Sequence, residues 1–134
     1  MVTKVNTVAV IKNEYKSYKK KADQFFAVMN MCLEDREWDA VFLNGLHAVI
    51  SISDALCVFQ LGQRSTGRSH TDASKLLQQA YPTAEGKKRA GQFFEMINIK
   101  NEVEYTPRLF QEGEARTFSL KVSRFIEWAV KKLP

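Results

Sequence analysis

Four polar side chains fall on one narrow line in the most apolar stretch of this chain. Between Trp38 and Leu61, Asn44, His47, Ser51 and Asp54 occupy positions i, i+3, i+7 and i+10, which a helix gathers into a single stripe. Such a seam can form a binding site, a subunit contact or a hydrogen-bonded strip in the core. A second group follows it. Arg64 and Arg68 flank a glycine-containing loop, and His70 stands just beyond, where the next helix begins. Two guanidinium groups and a histidine beside a helix start suit a phosphate, although exposed loop polarity accounts for the same residues equally well. A third group, Lys100, Asn101 and Tyr105, lies before the last helix. There Asn101 can hydrogen-bond a helix end, and Tyr105 can pack its ring on the final helix. No phosphate loop, nucleophile elbow, metal-binding helix motif or paired-carboxylate pattern occurs, so neither a metal nor a cofactor is expected.

The elements that must position these residues read as helices. The stretch from Trp38 to Leu61 has no proline, one glycine, and only Asp39 and Asp54 as formal charges. Apolar residues lie on nearly every side of it, the mark of a helix buried in a domain centre. It is long enough to span a membrane, but polar residues interrupt it throughout. Before it, residues 12–34 repeat Tyr15, Tyr18, Ala22, Phe25, Phe26, Met29, Cys32 and Leu33 at helical spacing. The link between them, residues 35–37, is short and charged, which predicts an antiparallel helical hairpin. Residues 2–11 are rich in valine and threonine, and predict a short strand, an arm laid on a neighbouring subunit, or a frayed end.

After Gly62, the loop of residues 63–68 leads to Ser69 and Asp72, a capping-box pair that opens a short helix over residues 71–80. Pro82 ends that helix, and Thr83 caps another over residues 84–99. Residues 100–113 form the least regular segment, with Pro107 disfavouring helix at Thr106. The last helix covers residues 114–133, with Phe118, Val122, Phe125, Ile126, Ala129, Val130 and Leu133 in register. The expectation is one all-α domain over residues 1–134, a four- to five-helix up-and-down bundle around a long buried central helix.

Composition agrees with one globular domain: 134 residues, 45% hydrophobic and 26% charged. The net charge of +5 admits an anionic partner such as RNA without requiring one. Lys19 to Lys21 and Lys87 to Arg89 read most simply as solvated helix faces. Cys32 and Cys57 each sit in an apolar helical pattern, outside any Cys-x-x-Cys spacing, and are expected to be reduced thiols packed as small hydrophobes. The first residues lack the layout of a secretion signal, so a cytoplasmic location is expected, with no membrane association.

In order, the chain offers a helical hairpin, a loop with a glycine and a histidine before a short helix, an Asn-x-x-x-Tyr segment, a proline-containing loop, and an aromatic amphipathic helix. This order resembles the HEPN superfamily, small helical bundles of prokaryotic toxin–antitoxin and nucleotidyltransferase-associated systems. It looks most like the subgroup with an Arg-Asn-x-x-x-Tyr type of motif. The resemblance covers roughly residues 12–133. It implies a homodimer, with RNA, a nucleotide, or a nucleotidyltransferase or antitoxin protein as partner. Active members of the family are metal-independent RNases, with an arginine on the scissile phosphate and a histidine handling the proton.

On this chain the motif arginine falls on Lys100, its neighbour on Asn101, and the histidine on Tyr105. Lysine lacks arginine's two-pronged grip. Tyrosine, with an ordinary pKa near 10, is a poor general base at neutral pH. The resemblance therefore implies the scaffold without the standard catalytic pair, and a non-catalytic binding role. Two alternatives stand beside it: a divergent RNase on Lys100, Asn101 and Tyr105 helped by His47 or His70, and a structural or adaptor dimer. If the polar stripe faces Lys100, it joins the family's intersubunit cleft. Against a nuclease there, Glu102, Glu104, Glu112 and Glu114 would repel RNA.

Overall fold

The computed structural model describes residues 5–134. It is an all-α bundle, with α1 (Tyr15–Glu34), α2 (Trp38–Leu61), α3 (His70–Ala80), α4 (Ala84–Ile97), a short α5 (Lys100–Tyr105) and α6 (Glu112–Val130). The five long helices match the count expected from periodicity. The central helix has the bounds read from the sequence. The correction is α5: the segment expected to be irregular contains a helical turn and a half before Pro107 stops it. Residues 98–99 form the turn between α4 and α5.

Helix α2 is the core. Thirteen of its residues are buried, from Val41 and Phe42 to Cys57 and Val58. Its mean hydropathy of 1.6 over 18 residues passes the length-and-composition test for a membrane span, but 72% of that window is buried inside the bundle. The apolar surface that lipid would cover is covered by other helices. Helix α1 lies along α2 as the predicted hairpin, and α6 packs on the adjoining face. Gly45 sets how closely these three meet. A Cβ there would stand 2.8 Å from Phe118 Cε2, 3.0 Å from Met29 Sδ and 3.2 Å from Val122 Cγ2. Both thiols are free, Cys57 buried and Cys32 partly so.

Gly62 closes α2 in the left-handed conformation, φ 67°, which glycine adopts without a Cβ penalty. This turns the chain into β2 (Gln63–Ser65), which pairs antiparallel with β1 (Thr7–Ala9) in the register Thr7↔Ser65, Val8↔Arg64, Ala9↔Gln63. Among the described residues, then, the extended N-terminal segment pairs within its own chain; residues 2–4 of that expectation lie outside them. Ser69 caps α3 by accepting from the Asp72 N–H at 3.2 Å, and Thr83 caps α4 by accepting from the Gly86 N–H at 2.9 Å, as the sequence predicted.

Helix α6 begins two residues earlier than expected. Gln111 and Glu114 form a reciprocal capping box there. The hairpin turn is tied to this end: Asp39 Oδ1 accepts from the Phe110 N–H at 2.9 Å, and Arg36 reaches Glu112 at 2.8 Å.

Candidate functional site

Helix α5 turns one side to the bundle and the other to solvent. Lys100, Val103 and Glu104 are partly buried, whereas Asn101, Glu102 and Tyr105 are exposed. Positions five apart on a helix stand about 140° apart around the axis and about 7.5 Å apart along it. Lys100 and Tyr105 therefore leave α5 in different directions, and Tyr105 stands 76% exposed.

The central stripe divides between neighbours. Asn44 Nδ2 donates to the Ala40 carbonyl at 2.8 Å, a bond within its own helix, and Ser51 is buried. His47 lies against the Phe25 ring, centroids 5.2 Å apart, and its Nε2 is 3.7 Å from Glu104 Oε1. The stripe thus meets α5 through His47 and Glu104. Asp54 goes elsewhere, towards Arg64 of β2 and Lys21 of α1. Burial pushes its carboxyl up to about 7, and those two cations pull it back only in part. Cys57, one turn along, is pushed up by burial first and by Asp54 second.

Arg64, Arg68 and His70 each take a different course. Arg64 Nη1 donates to the Ser65 carbonyl at 2.9 Å. Arg68 is exposed, and among the described residues it forms no ion pair. His70 Nδ1 lies 3.4 Å from Asn98 Oδ1, at the turn into α5. Each of the three thus has its own surroundings. The structure does bring both histidines of the chain to the region of residues 98–105.

A hollow lies on another side. Between α4 and α6 is a groove of about 670 Å³, within the usual range for a small-molecule site. Phe42, Met96, Ile99 and Phe118 form its apolar floor, and Arg89, Lys121 and Arg124 stand on its walls with Gln92 and Thr117. The floor is stiffened from below, since Phe42 stacks on Phe118 at 4.5 Å and on Phe110 at 4.1 Å. Glu95 and Glu114 also line the groove. Glu114 is held by Arg108, which also reaches Glu102 at 2.6 Å; these contacts raise the Arg108 pKa, the hydrogen bond to Glu102 foremost.

A second hollow of about 380 Å³ shares Arg89 and Arg124 with the first and adds Trp128, Lys131 and Lys132. Sequence reading noted Lys87 to Arg89 as a solvated face and passed over Lys121 and Arg124. The signal was a cation at i and i+3 on the polar side of the last helix, and nothing in a linear sequence says that α4 lies opposite.

Among the described residues no group of three His, Cys, Asp or Glu side chains is placed to hold a metal ion. Compared with protein-family models, curated proteins and solved structures, the chain shows no match to any of the three.

Proposed function

We propose that this chain is a non-catalytic, HEPN-like binding module, cytoplasmic and homodimeric, that recognises a nucleotide or RNA within a toxin–antitoxin or defence-type system. The observation that carries the non-catalytic half is the pair of residue types that α5 presents, Lys100 and a 76% exposed Tyr105 at the motif's arginine and histidine positions. A general base and a phosphate clamp must reach one scissile group together, and here lysine stands in place of the two-pronged arginine and tyrosine in place of the histidine. The binding half is supported by the cationic groove between α4 and α6.

One observation favours the RNase reading. His47 stands beside Glu104, 3.7 Å from its carboxylate on the inner face of α5, where a small closing movement would make the hydrogen bond that orients a histidine for proton transfer. The deciding assay is RNA cleavage in EDTA by wild type, Lys100→Ala, Tyr105→Phe and His47→Ala. The expected result is no cleavage by any of the four, with RNA or nucleotide retained by folded wild-type protein. Cleavage that His47→Ala or Tyr105→Phe abolishes would overturn the non-catalytic reading. Wild-type protein that binds neither RNA nor nucleotide, yet holds a protein partner, would leave the adaptor role in its place.

A further inference from the structure

We infer that the groove between α4 and α6 is the binding site of a nucleotide unit, its base on the apolar floor and its phosphate on Arg89 and Arg124. This rests on the binding-module reading above and moves its site away from the Lys100, Asn101 and Tyr105 segment.

Three observations converge. The first is the pairing of chemistries. An apolar floor of Phe42, Met96 and Phe118 adjoins three cations, Arg89, Lys121 and Arg124, in one hollow of about 670 Å³. A bare anion has no use for the floor, and an apolar ligand none for the cations. A flat heterocycle joined to a phosphate uses both.

The second is the state of the cations. Among the described residues, Lys121 and Arg124 form no ion pair and are exposed, so their charge is free for an anion. The acids on the rim do not cancel them equally: Glu114 is taken up by Arg108, which leaves Glu95.

The third is unspent hydrogen-bonding capacity. Arg89 lies over the Trp128 ring, 6.0 Å from its centroid, with Nη1 on Gln92 at 3.2 Å and Nη2 3.7 Å from Glu85. Its Nε is buried and has no partner within the protein, and the same is true of Nε1 of Trp128, a residue only 6% exposed. Buried donors of this kind are ordinarily satisfied. Both residues line the second hollow, which continues from the first through Arg89 and Arg124 to Lys132, with Glu85 on Arg89 and Glu127 on Lys131, each at 3.7 Å, also on its rim. A chain of phosphates leaving the groove would meet Arg124 and Lys132 first. A free nucleoside polyphosphate and a single-stranded RNA present the same base-and-phosphate unit, and the groove accepts either.

The test measures equilibrium binding of ATP and, separately, of an eight-nucleotide single-stranded RNA. The proteins are the wild type, Lys121→Ala/Arg124→Ala, Thr117→Trp and Lys100→Ala/Tyr105→Phe. Lys121 and Arg124 are exposed, so their removal spares the core, and melting of each variant verifies the fold. The double charge variant is expected to weaken binding about tenfold or more, through loss of charge-assisted contacts, and to flatten the salt dependence. Thr117→Trp, which fills the groove while keeping every charge, is expected to weaken it similarly. Lys100→Ala/Tyr105→Phe, outside the groove lining, is expected to leave it within about twofold.

Binding of ATP alone names a mononucleotide as the natural occupant, and stronger binding of the oligomer names RNA; both results support the groove. Ligand that binds wild type and is lost on Lys100→Ala/Tyr105→Phe, or is indifferent to the groove variants, overturns this inference and leaves the binding module intact. Wild type that binds neither ligand overturns both.

Discussion

Replacing Gly86 with alanine is expected to cost this protein about 3 kcal/mol or more, the upper end of overpacking penalties, and to lower its Tm by about 10 °C. A Cβ on Gly86 would lie 1.8 Å from the Tyr81 carbonyl oxygen and 2.8 Å from both the Tyr81 carbonyl carbon and Cβ. The obstacle is backbone, so no rotamer change clears it. Nor is that backbone free to move. The Tyr81 carbonyl accepts from the Thr83 N–H at 2.8 Å, the Thr83 hydroxyl accepts from the Gly86 N–H, and the Tyr81 ring packs edge-on against Trp128 at 5.6 Å. Shifting Tyr81 therefore loosens the cap of α4 and the contact with α6 together.

Gly91, in the same helix, is the internal control. Its Cβ would meet nothing within 4 Å, so Gly91→Ala should stabilise by about 0.5–1 kcal/mol through helix propensity alone. Urea unfolding of the two variants beside wild type checks both signs. Equal effects from the two substitutions would mean that the α3–α4 turn yields more easily than its hydrogen bonds imply. The point bears on function because that turn fixes how α4 carries Arg89 to the groove.

Gly86 also marks what the sequence conceals. The two caps before it are legible: Ser69 with Asp72, and Thr83 after Pro82, are local patterns in which a side chain reaches three residues along the chain. So is α2, whose apolar run without proline admits little else. The glycine at the close approach to Tyr81 carries no such pattern, since its constraint comes from where the preceding turn brings the backbone. The β1–β2 pair was half legible. Valine and threonine suggested extension, but three residues are too few to show a period, and their partners lie more than fifty positions away.

Helix α5 was misread because Pro107 constrains only its predecessor, while one apolar residue, Val103, is too little to declare a face. For the candidate site the limit is sharper. One helix can be read for what its own stripe holds, yet His47 meets Glu104 of another helix, Asp54 feels the charges of Arg64 and Lys21, and the groove cations converge from two helices. Convergence is a property of packing, and it leaves no mark on spacing.

The same stripe yields the other large effect, expected of Asp54→Asn as a function of pH. In the fold the Asp54 carboxyl is held near 7, because burial opposes its charge more than Arg64 and Lys21 favour it; Cys57, the remaining titratable neighbour, stays a thiol throughout. In the unfolded chain an aspartate loses its proton near 3.9. Between these values the folded protein holds a proton that the unfolded chain has released, so stability must fall as pH rises from about 4 to about 7 and level off above.

The full difference corresponds to about 4 kcal/mol. About half of that is expected for a side chain that keeps some contact with water, since solvent screens the charge. Asparagine has the same shape and no charge to bury. The variant should therefore lose that slope and exceed wild type by about 2 kcal/mol at pH 8, while matching it near pH 4. Urea unfolding at pH 4, 5, 6, 7 and 8 measures the difference directly, and subtracting the variant from wild type removes what every other carboxylate and histidine contributes. A variant less stable than wild type at pH 8 would show the reverse balance: the carboxylate would be ionised in the fold and held by Arg64 and Lys21. The end of the polar stripe would then be an ion pair joining α1, α2 and β2, rather than a neutral acid tolerated at their junction.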